Sequence, residues 1–169
     1  YVGADLTVTK RALTVTADAA SRVYGDANPA FTYQVTTGSL VNGDTLSGDL
    51  ATAATGTSGI GTYAITQGTL AATANYALTY VGADLTVTRR ALTVTADAAS
   101  GVYGDAKSVL TYQVATGSLV NGDTLSGDLA TAAAATSGIG TYAITQGTLA
   151  ATANYALTYV GADLTVTKR

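Results

Sequence analysis

The feature that most constrains this chain is an internal repeat of 79 residues. The nonapeptide YVGADLTVT occurs three times, at Tyr1–Thr9, Tyr80–Thr88 and Tyr159–Thr167. The segments between the copies also repeat, with nine substitutions. Self-similarity at a fixed period is typical of tandem structural units. The sequence therefore predicts two repeats, residues 12–90 and 91–169, preceded by residues 1–11 as the last strand of a preceding repeat.

Apolar and polar residues alternate along several short segments of each repeat. In Leu13–Ala17 the apolar side chains alternate with Thr, and Gly61–Thr66 shows the same pattern. Period-two alternation indicates half-buried strands, and Asn42-Gly43 is typical of a turn. Six or seven such strands predict an all-β fold with two tandem small immunoglobulin-like β-sandwiches. The alternative is a β-grasp fold in which residues 44–50 form one short helix.

A tyrosine in each repeat is placed like a residue of immunoglobulin-like domains. The segment before Tyr63 resembles the approach to strand F of such domains, where a tyrosine hydroxyl bonds back to nearby backbone. We therefore expect Tyr63 and its equivalent Tyr142 to be buried, with their hydroxyls bonded to backbone.

The apolar face of the last strand changes side at a glycine. The inward positions up to Tyr80 are even-numbered, whereas Leu85 and Val87 are odd-numbered. A bulge at Gly82 that inserts one residue and bends the strand explains the switch. A hairpin with Gly82-Ala83 as a two-residue loop is the alternative.

Composition excludes several functional classes. The chain has no Cys and no His, so neither thiol chemistry nor a His-activated Ser or Thr nucleophile is available. Its net charge is −3, without a basic stripe, which argues against nucleic-acid binding. No apolar run approaches the roughly 20 residues of a membrane-spanning helix. We predict a non-enzymatic segment without a cofactor and without membrane insertion.

Metal and ligand sites have few candidates. Calcium takes roughly 6–8 oxygen ligands, usually from clustered carboxylates, whereas the loops here offer single residues, Asp26, Asp44 and Asp84. We expect these carboxylates to stabilise turns and the thermal stability to be independent of Ca²⁺. Most tyrosines occupy strand positions that face the predicted core. Tyr24 and Tyr103, which lie in a turn, are therefore the candidates for contact with a glycan or a protein.

The order of motifs resembles one family. The motifs are ALTVTAD, VYGDANP, GSLVNGDTLSG, GIGTYAITQGTL and NYALTYVGADLTVTKR. Together they resemble the MBG-type repeats, mostly β and glycine-rich, of large bacterial secreted and surface proteins, including filamentous-haemagglutinin-like adhesins. The second repeat departs from the pattern, with Lys107-Ser108 in place of Asn28-Pro29. The resemblance implies an extracellular module, and it brings no catalytic residues.

The resemblance implies a structural stalk or spacer that extends a distal binding region of an adhesin. Its partners would be neighbouring repeats, with a host glycan or protein bound through other domains. The alternative is an adhesive module that itself binds host glycans or matrix proteins. Because no Gly, Ser or Pro linker interrupts Thr88–Ala91, we expect a stiff, extended pair, roughly 70–90 Å end to end. The Tyr1–Thr9 strand should stay loosely ordered or pair with a neighbouring molecule's sheet edge.

Overall fold

A computed structural model describes residues 3–169, and this part of the chain is all-β, with no helix. It divides into two compact units, one extending to Thr88 and the other from Arg89 to Arg169. The first unit contains β1 (Arg11–Ala17), β2 (Ala20–Val23), β3 (Tyr33–Thr37), β4 (Ala51–Thr52), β5 (Gly61–Thr66), β6 (Tyr76–Val81) and β7 (Ala83–Thr88). The second contains β8 (Arg90–Ala96), β9 (Ala99–Val102), β10 (Tyr112–Thr116), β11 (Ala130–Thr131), β12 (Gly140–Thr145), β13 (Tyr155–Val160) and β14 (Ala162–Thr167).

Each unit is a sandwich of a three-stranded and a four-stranded sheet. The sheets of the first unit have the orders β3-β1-β6 and β2-β7-β5-β4. The second unit has the same two sheets, ordered β10-β8-β13 and β9-β14-β12-β11. Two stacked sheets of alternating strands bury one face of each, which is why the Thr residues of β1 alternate with buried Leu13 and Val15. The predicted β-sandwich is confirmed, and the β-grasp alternative is wrong.

The core of the first unit lies between the two sheets. It combines Val15 of one sheet with Ile65 and Leu85 of the other, and Leu50 and Leu70 from connecting segments complete it. Leu50 and Leu70 lie outside the clear alternating pattern, so periodicity alone did not assign them to the core. The core therefore contains leucines from connecting segments that show no strand periodicity.

Gly82 marks the point where the last strand passes from one sheet to the other. β6 pairs with β1 in the three-stranded sheet, and β7 pairs with β5 and β2 in the four-stranded sheet. A Cβ at Gly82 would lie 3.1 Å from the Ile65 carbonyl oxygen, which explains the small residue at the crossing. The bend at Gly82 is therefore present, and the hairpin alternative is wrong because β6 and β7 do not pair with each other.

The segment after the Asn42-Gly43 turn contains no helical turn, contrary to the β-grasp alternative. Asn42 and Gly43 both have positive φ, 57° and 77°, and the Asp44 N–H donates to the Val41 carbonyl at 2.9 Å. Further along, Ser47 forms an isolated antiparallel bridge with Ala71. Gly48, with φ of 84°, has a left-handed conformation that a right-handed helix does not allow. The loop therefore pairs with the β5–β6 connection across the sandwich edge.

The residues before β1 belong to no strand. The predicted strand Tyr1–Thr9 begins at two residues outside the described part of the chain, and residues 3–10 carry no strand. Leu6 and Val8 are exposed, whereas the equivalent Leu85 and Val87 are buried. The nonapeptide thus forms strands in its second and third copies, which face an apolar core, but residues 3–9 of its first copy form none.

Tyr63 and Tyr142 make the predicted backbone hydrogen bonds. The Tyr63 hydroxyl donates to the Gly59 carbonyl at 3.0 Å, and the Tyr142 hydroxyl donates to the Gly138 carbonyl at 2.9 Å. Both residues are half-buried rather than fully buried, so the expectation of full burial is wrong. Each bond fixes the four-residue approach to a central strand of the larger sheet, as in a tyrosine corner.

Replacing Tyr63 with Phe should lower the free energy of unfolding of the first unit by about 1 kcal/mol, because only the hydroxyl bond to Gly59 is lost. Tyr63→Ala should cost about 2–3 kcal/mol, less than a fully buried aromatic deletion because the ring is only half-buried. Chemical denaturation of the full chain measures both values, with Thr62→Ala, an exposed neighbour, as the control. Equal losses for Phe and Ala would show that the ring adds nothing to packing.

Candidate functional site

The first and last strands of each unit are parallel neighbours, and this pairing is the most extensive feature that the repeat offers for function. β1 pairs with β6 at six positions, from Arg11 opposite Tyr76 to Thr16 opposite Val81. β2 then pairs with β7 at four positions, ending with Val23 opposite Thr88. Both strands cross together from the smaller to the larger sheet. The chain therefore enters a repeat at one end of this ladder and leaves it at the other.

Backbone hydrogen bonds close both ends of the ladder. The Arg11 N–H donates to the Asn75 carbonyl at 2.9 Å, and the Tyr24 N–H donates to the Thr88 carbonyl at 2.9 Å. The equivalent bonds of the second unit start from Arg90 and Tyr103. The hydrogen bonds of a parallel ladder are evenly spaced along the strands, so a force along the strand direction loads them together. Each repeat therefore holds its first strand to its last along its whole length.

Tyrosine hydroxyls reinforce the ladder from the side. The Tyr76 hydroxyl donates to Asp44 Oδ2 at 2.9 Å and accepts from the Val41 N–H at 2.9 Å, so it fastens the 41–44 loop to the start of β6. Near the crossing, the Tyr80 hydroxyl donates to the Ile65 carbonyl at 2.8 Å and thereby links the two sheets. The second unit repeats both bonds through Tyr155 and Tyr159.

Burial raises the pKa of the Tyr80 and Tyr159 hydroxyls above the ordinary value of 10.0. A phenol whose pKa is higher in the folded state stabilises the fold fully below pH of about 10, and this stabilisation is lost as the pH rises through the folded-state pKa. The phenolate also cannot donate to the carbonyl of Ile65 or Ile144.

We therefore expect the melting temperature to fall above pH of about 10, and to fall less steeply in a Tyr80→Phe, Tyr159→Phe variant. Thermal melts of both proteins between neutral pH and strongly alkaline pH measure the difference. Parallel pH curves for the two proteins would mean that these two hydroxyls do not contribute to the alkaline loss.

The three metal candidates lie in different environments. Asp44 accepts the hydrogen bond from Tyr76, Asp26 lies in the turn after β2, and Asp84 is an exposed residue of β7 opposite Ala64. Among residues 3–169, no group of three or more acidic, His or Cys side chains could hold a metal ion. The described carboxylates do not converge, so we still expect Ca²⁺ to leave the thermal stability unchanged. Thermal melts in EDTA and in millimolar CaCl₂ measure this. A melting temperature that rises with calcium would contradict it.

The two ligand candidates differ sharply in exposure, although they are equivalent residues. Tyr24 is 4% exposed and Tyr103 is 48% exposed. Position 22 also differs between the units, since the first has a buried arginine, 6% exposed, where the second has Gly101. Sequence reasoning missed the burial of Arg22 because a charged side chain is rarely buried unless its donors are satisfied.

Arg22 is satisfied by oxygen acceptors in the first unit. Its Nε donates to Asn28 Oδ1 at 2.8 Å, and its two terminal nitrogens donate to the carbonyls of Val23 and Thr55. Asn28 in turn donates to the Ala54 carbonyl at 2.7 Å. This network fixes the turn after β2 against the loop after β4. One signal in the sequence was available, since five of the nine substitutions between repeats fall at residues 22–31.

Comparison with protein families agrees with this architecture. The model of the MBG domain (YGX type) matches residues 13–86 and again residues 92–165. MBG domain repeats are found in adhesin-like surface proteins, and the family is a structural repeat rather than a known enzyme family. A search of curated proteins finds no match.

The part of the chain that the structure describes has no helix that is long and apolar enough to cross a membrane. The two family matches together cover most of the chain, and each falls within one sandwich. The Tyr-Gly pair after β2 or β9 begins the turn at Tyr24 and at Tyr103. The chain therefore belongs to the MBG domain (YGX type) family, of which it carries two tandem copies.

Proposed function

We propose that the two repeats act as an extracellular spacer that carries tension along a bacterial surface adhesin. The single observation that supports this function best is the parallel pairing of β1 and β2 with β6 and β7. A chain that enters beside Arg11 and leaves beside Thr88 gains length with every repeat. At about 3.3 Å per strand residue, one repeat contributes up to about 40 Å.

The same pairing suits a segment under load. Force applied to the two ends of a repeat pulls β1 against β6, and β2 against β7, along the strand direction. Hydrogen bonds in this shear geometry share the load, whereas a force that pulls two paired strands apart at one end opens their bonds one at a time. A single residue, Arg89, lies between the end of β7 and the start of β8, which leaves little chain for a flexible linker.

Single-molecule force spectroscopy tests the mechanical part of this function. The chain has no cysteine, so attachment points are set by engineered cysteines alone. We expect higher unfolding force with attachment at the two chain ends than with attachment at Ala51→Cys and Thr66→Cys, which face each other across β4 and β5. Equal forces in the two geometries would contradict a shear-resistant repeat.

Small-angle scattering of the full chain tests the spacer part. A maximum dimension of roughly 70–90 Å is expected for a stiff, extended pair. A matched control inserts a flexible Gly-Ser linker after Thr88, which should broaden the distance distribution. A compact particle, or an unchanged distribution after the insertion, would contradict a rigid spacer.

A second candidate function is direct adhesion by the second repeat. The observation that favours it is the exposure of large apolar side chains in this repeat, including Tyr103 and Val109 near the altered turn and Ile139 before β12. Clustered exposed apolar side chains are typical of interaction sites. Binding of the full chain to an array of glycans and matrix proteins, lost in a Tyr103→Ala variant, would favour this function over a pure spacer.

A further inference from the structure

The second repeat contains a groove at the position that Arg22 fills in the first repeat. Its walls include Gly101, Tyr103, Ala133, Ala134 and Leu164. The groove measures about 310 Å³, counting the space open to solvent. Five of the nine substitutions between repeats fall at its wall or at the equivalent residues of the first repeat, namely Arg22 to Gly101, Asn28 to Lys107, Pro29 to Ser108, Thr55 to Ala134 and Gly56 to Ala135.

Two of the three acceptors that hold Arg22 are retained in the second repeat, whereas the third, Asn28 Oδ1, is replaced by Lys107. The retained acceptors are the backbone carbonyls of Val102 and Ala134, which the substitutions at positions 134 and 135 leave in place. The Ala134 carbonyl accepts the Ser137 N–H at 3.0 Å, as the Thr55 carbonyl accepts the Ser58 N–H at 3.0 Å. In the first repeat Thr55 accepts the guanidinium as well, through its second lone pair. The groove therefore keeps the carbonyl oxygens of a guanidinium site without the arginine.

The rim of the groove also suits a planar cation. Tyr103 is 48% exposed there, and an aromatic ring attracts a guanidinium placed over its face. The Asp105 carboxylate lines the groove and lies 3.5 Å from Arg169 Nη2 in an exposed ion pair. Lys107 also lies at this rim, and its side chain is exposed. Its positive charge repels a cation that enters the groove.

We propose that this groove binds a guanidinium group from outside the repeat, namely an arginine side chain of a partner peptide or protein. The arginine would donate to the carbonyls of Val102 and Ala134, as Arg22 donates to those of Val23 and Thr55. Only about 20 Å³ of the groove is open to the centre of a water molecule, room for one or two waters. Entry therefore displaces the 103–108 turn outward. This binding role is separate from the spacer role and does not depend on it.

The test titrates the ¹⁵N-labelled full chain with N-acetyl-argininamide and follows amide chemical shifts. The expected result is saturable shifts confined to residues 101–108 and 133–137. N-acetyl-citrullinamide, which has the same shape without the charge, and N-acetyl-lysinamide, which has the charge without the planar fork, should give little or no shift. Equal shifts with either control, or no saturable shift with the arginine compound, would overturn the proposal.

Matched variants use the other repeat as the template. Gly101→Arg with Lys107→Asn restores the arginine and asparagine of the first repeat, and it should weaken binding roughly tenfold or more, since charge-assisted bonds are lost to the internal arginine. Unchanged binding in this variant would overturn the proposal. The reverse change, Arg22→Gly with Asn28→Lys, should create the same response at residues 22–29 and 54–58.

A third variant separates an external arginine from the lysine of the same repeat. If Lys107 folds into the groove, the arginine compound binds only after Lys107→Ala, and the proposal of an external guanidinium is wrong. If the groove is open to a partner, binding is present in the unaltered chain and Lys107→Ala strengthens it only through the removal of like charge. A melting curve of each variant checks that the second repeat remains folded.

Discussion

Replacing Leu85 with Ala should lower the free energy of unfolding of the first repeat by about 3–4 kcal/mol, because the removed side chain leaves a cavity between two packed sheets. Leu85 is 0% exposed, lies opposite Tyr63 on β5 and belongs to the core that joins the two sheets. Leu164, the equivalent residue of the second repeat, is 3% exposed and should show a similar loss. Calorimetry of the full chain measures both variants, and the unaltered repeat of each provides an internal reference.

The first copy of the nonapeptide, Tyr1–Thr9, supplies the matched control. Leu6 has the same neighbours along the sequence but is 90% exposed. Leu6→Ala should change stability by less than about 0.5 kcal/mol, as for other surface substitutions. Because the local sequence is identical at all three positions, intrinsic strand propensity cannot explain a difference between them. A large loss for Leu6→Ala would mean that residues 3–10 pack into a core in solution.

Most of the strand positions were predictable from the sequence, since alternation reports directly which face of a strand is buried. Leu13 and Val15 on β1, and Ile65 on β5, are buried as their parity indicates. The switch of parity at Gly82 was informative too, because it marks the crossing between sheets. Parity describes one strand at a time, however, so it holds no information about which strands become neighbours.

The parallel pairing of the first and last strands was not predictable for that reason. β1 and β6 are separated by about 60 residues, and their pairing depends on the closure of the whole sandwich rather than on local sequence. β2 was missed as a strand because Ala20–Val23 contains a charged residue on its inward side. Arg22 is tolerated there only because Asn28 Oδ1 and the carbonyls of Val23 and Thr55 satisfy its donors, and a single sequence does not show that these acceptors converge.

The difference between the two repeats was visible in the sequence, but its meaning was not. The substitutions cluster at residues 22–31 and recur at 55 and 56, which are far apart along the chain. The fold brings the loop after β4 against the turn after β2, so one buried side chain and its surroundings change together. Two near-identical repeats in one chain therefore act as a natural pair of variants, with a filled and an unfilled version of the same site.

Replacing Gly48 with Ala should lower the free energy of unfolding of the first repeat by about 3–4 kcal/mol. Gly48 has φ of 84°, where a residue with a Cβ costs about 1–2 kcal/mol. A Cβ at this position would also overlap the backbone carbonyl of Thr69. Relieving the overlap requires the 47–49 segment to move away from its partner, which weakens the paired bonds between Ser47 and Ala71 at 2.8 and 2.9 Å, each contributing about 1 kcal/mol.

Gly43 separates the backbone effect from the steric one. Its φ of 77° is nearly the same, but a Cβ there would meet no atom within 4 Å. Gly43→Ala should therefore cost only about 1–2 kcal/mol, from the left-handed backbone alone. The second repeat offers the same pair at Gly127 and Gly122, so chemical denaturation of four variants gives two independent measurements of the difference. Equal losses at Gly48 and Gly43 would show that the 47–49 segment moves freely, and that its pairing with residues 69–71 adds little to the stability of the sandwich.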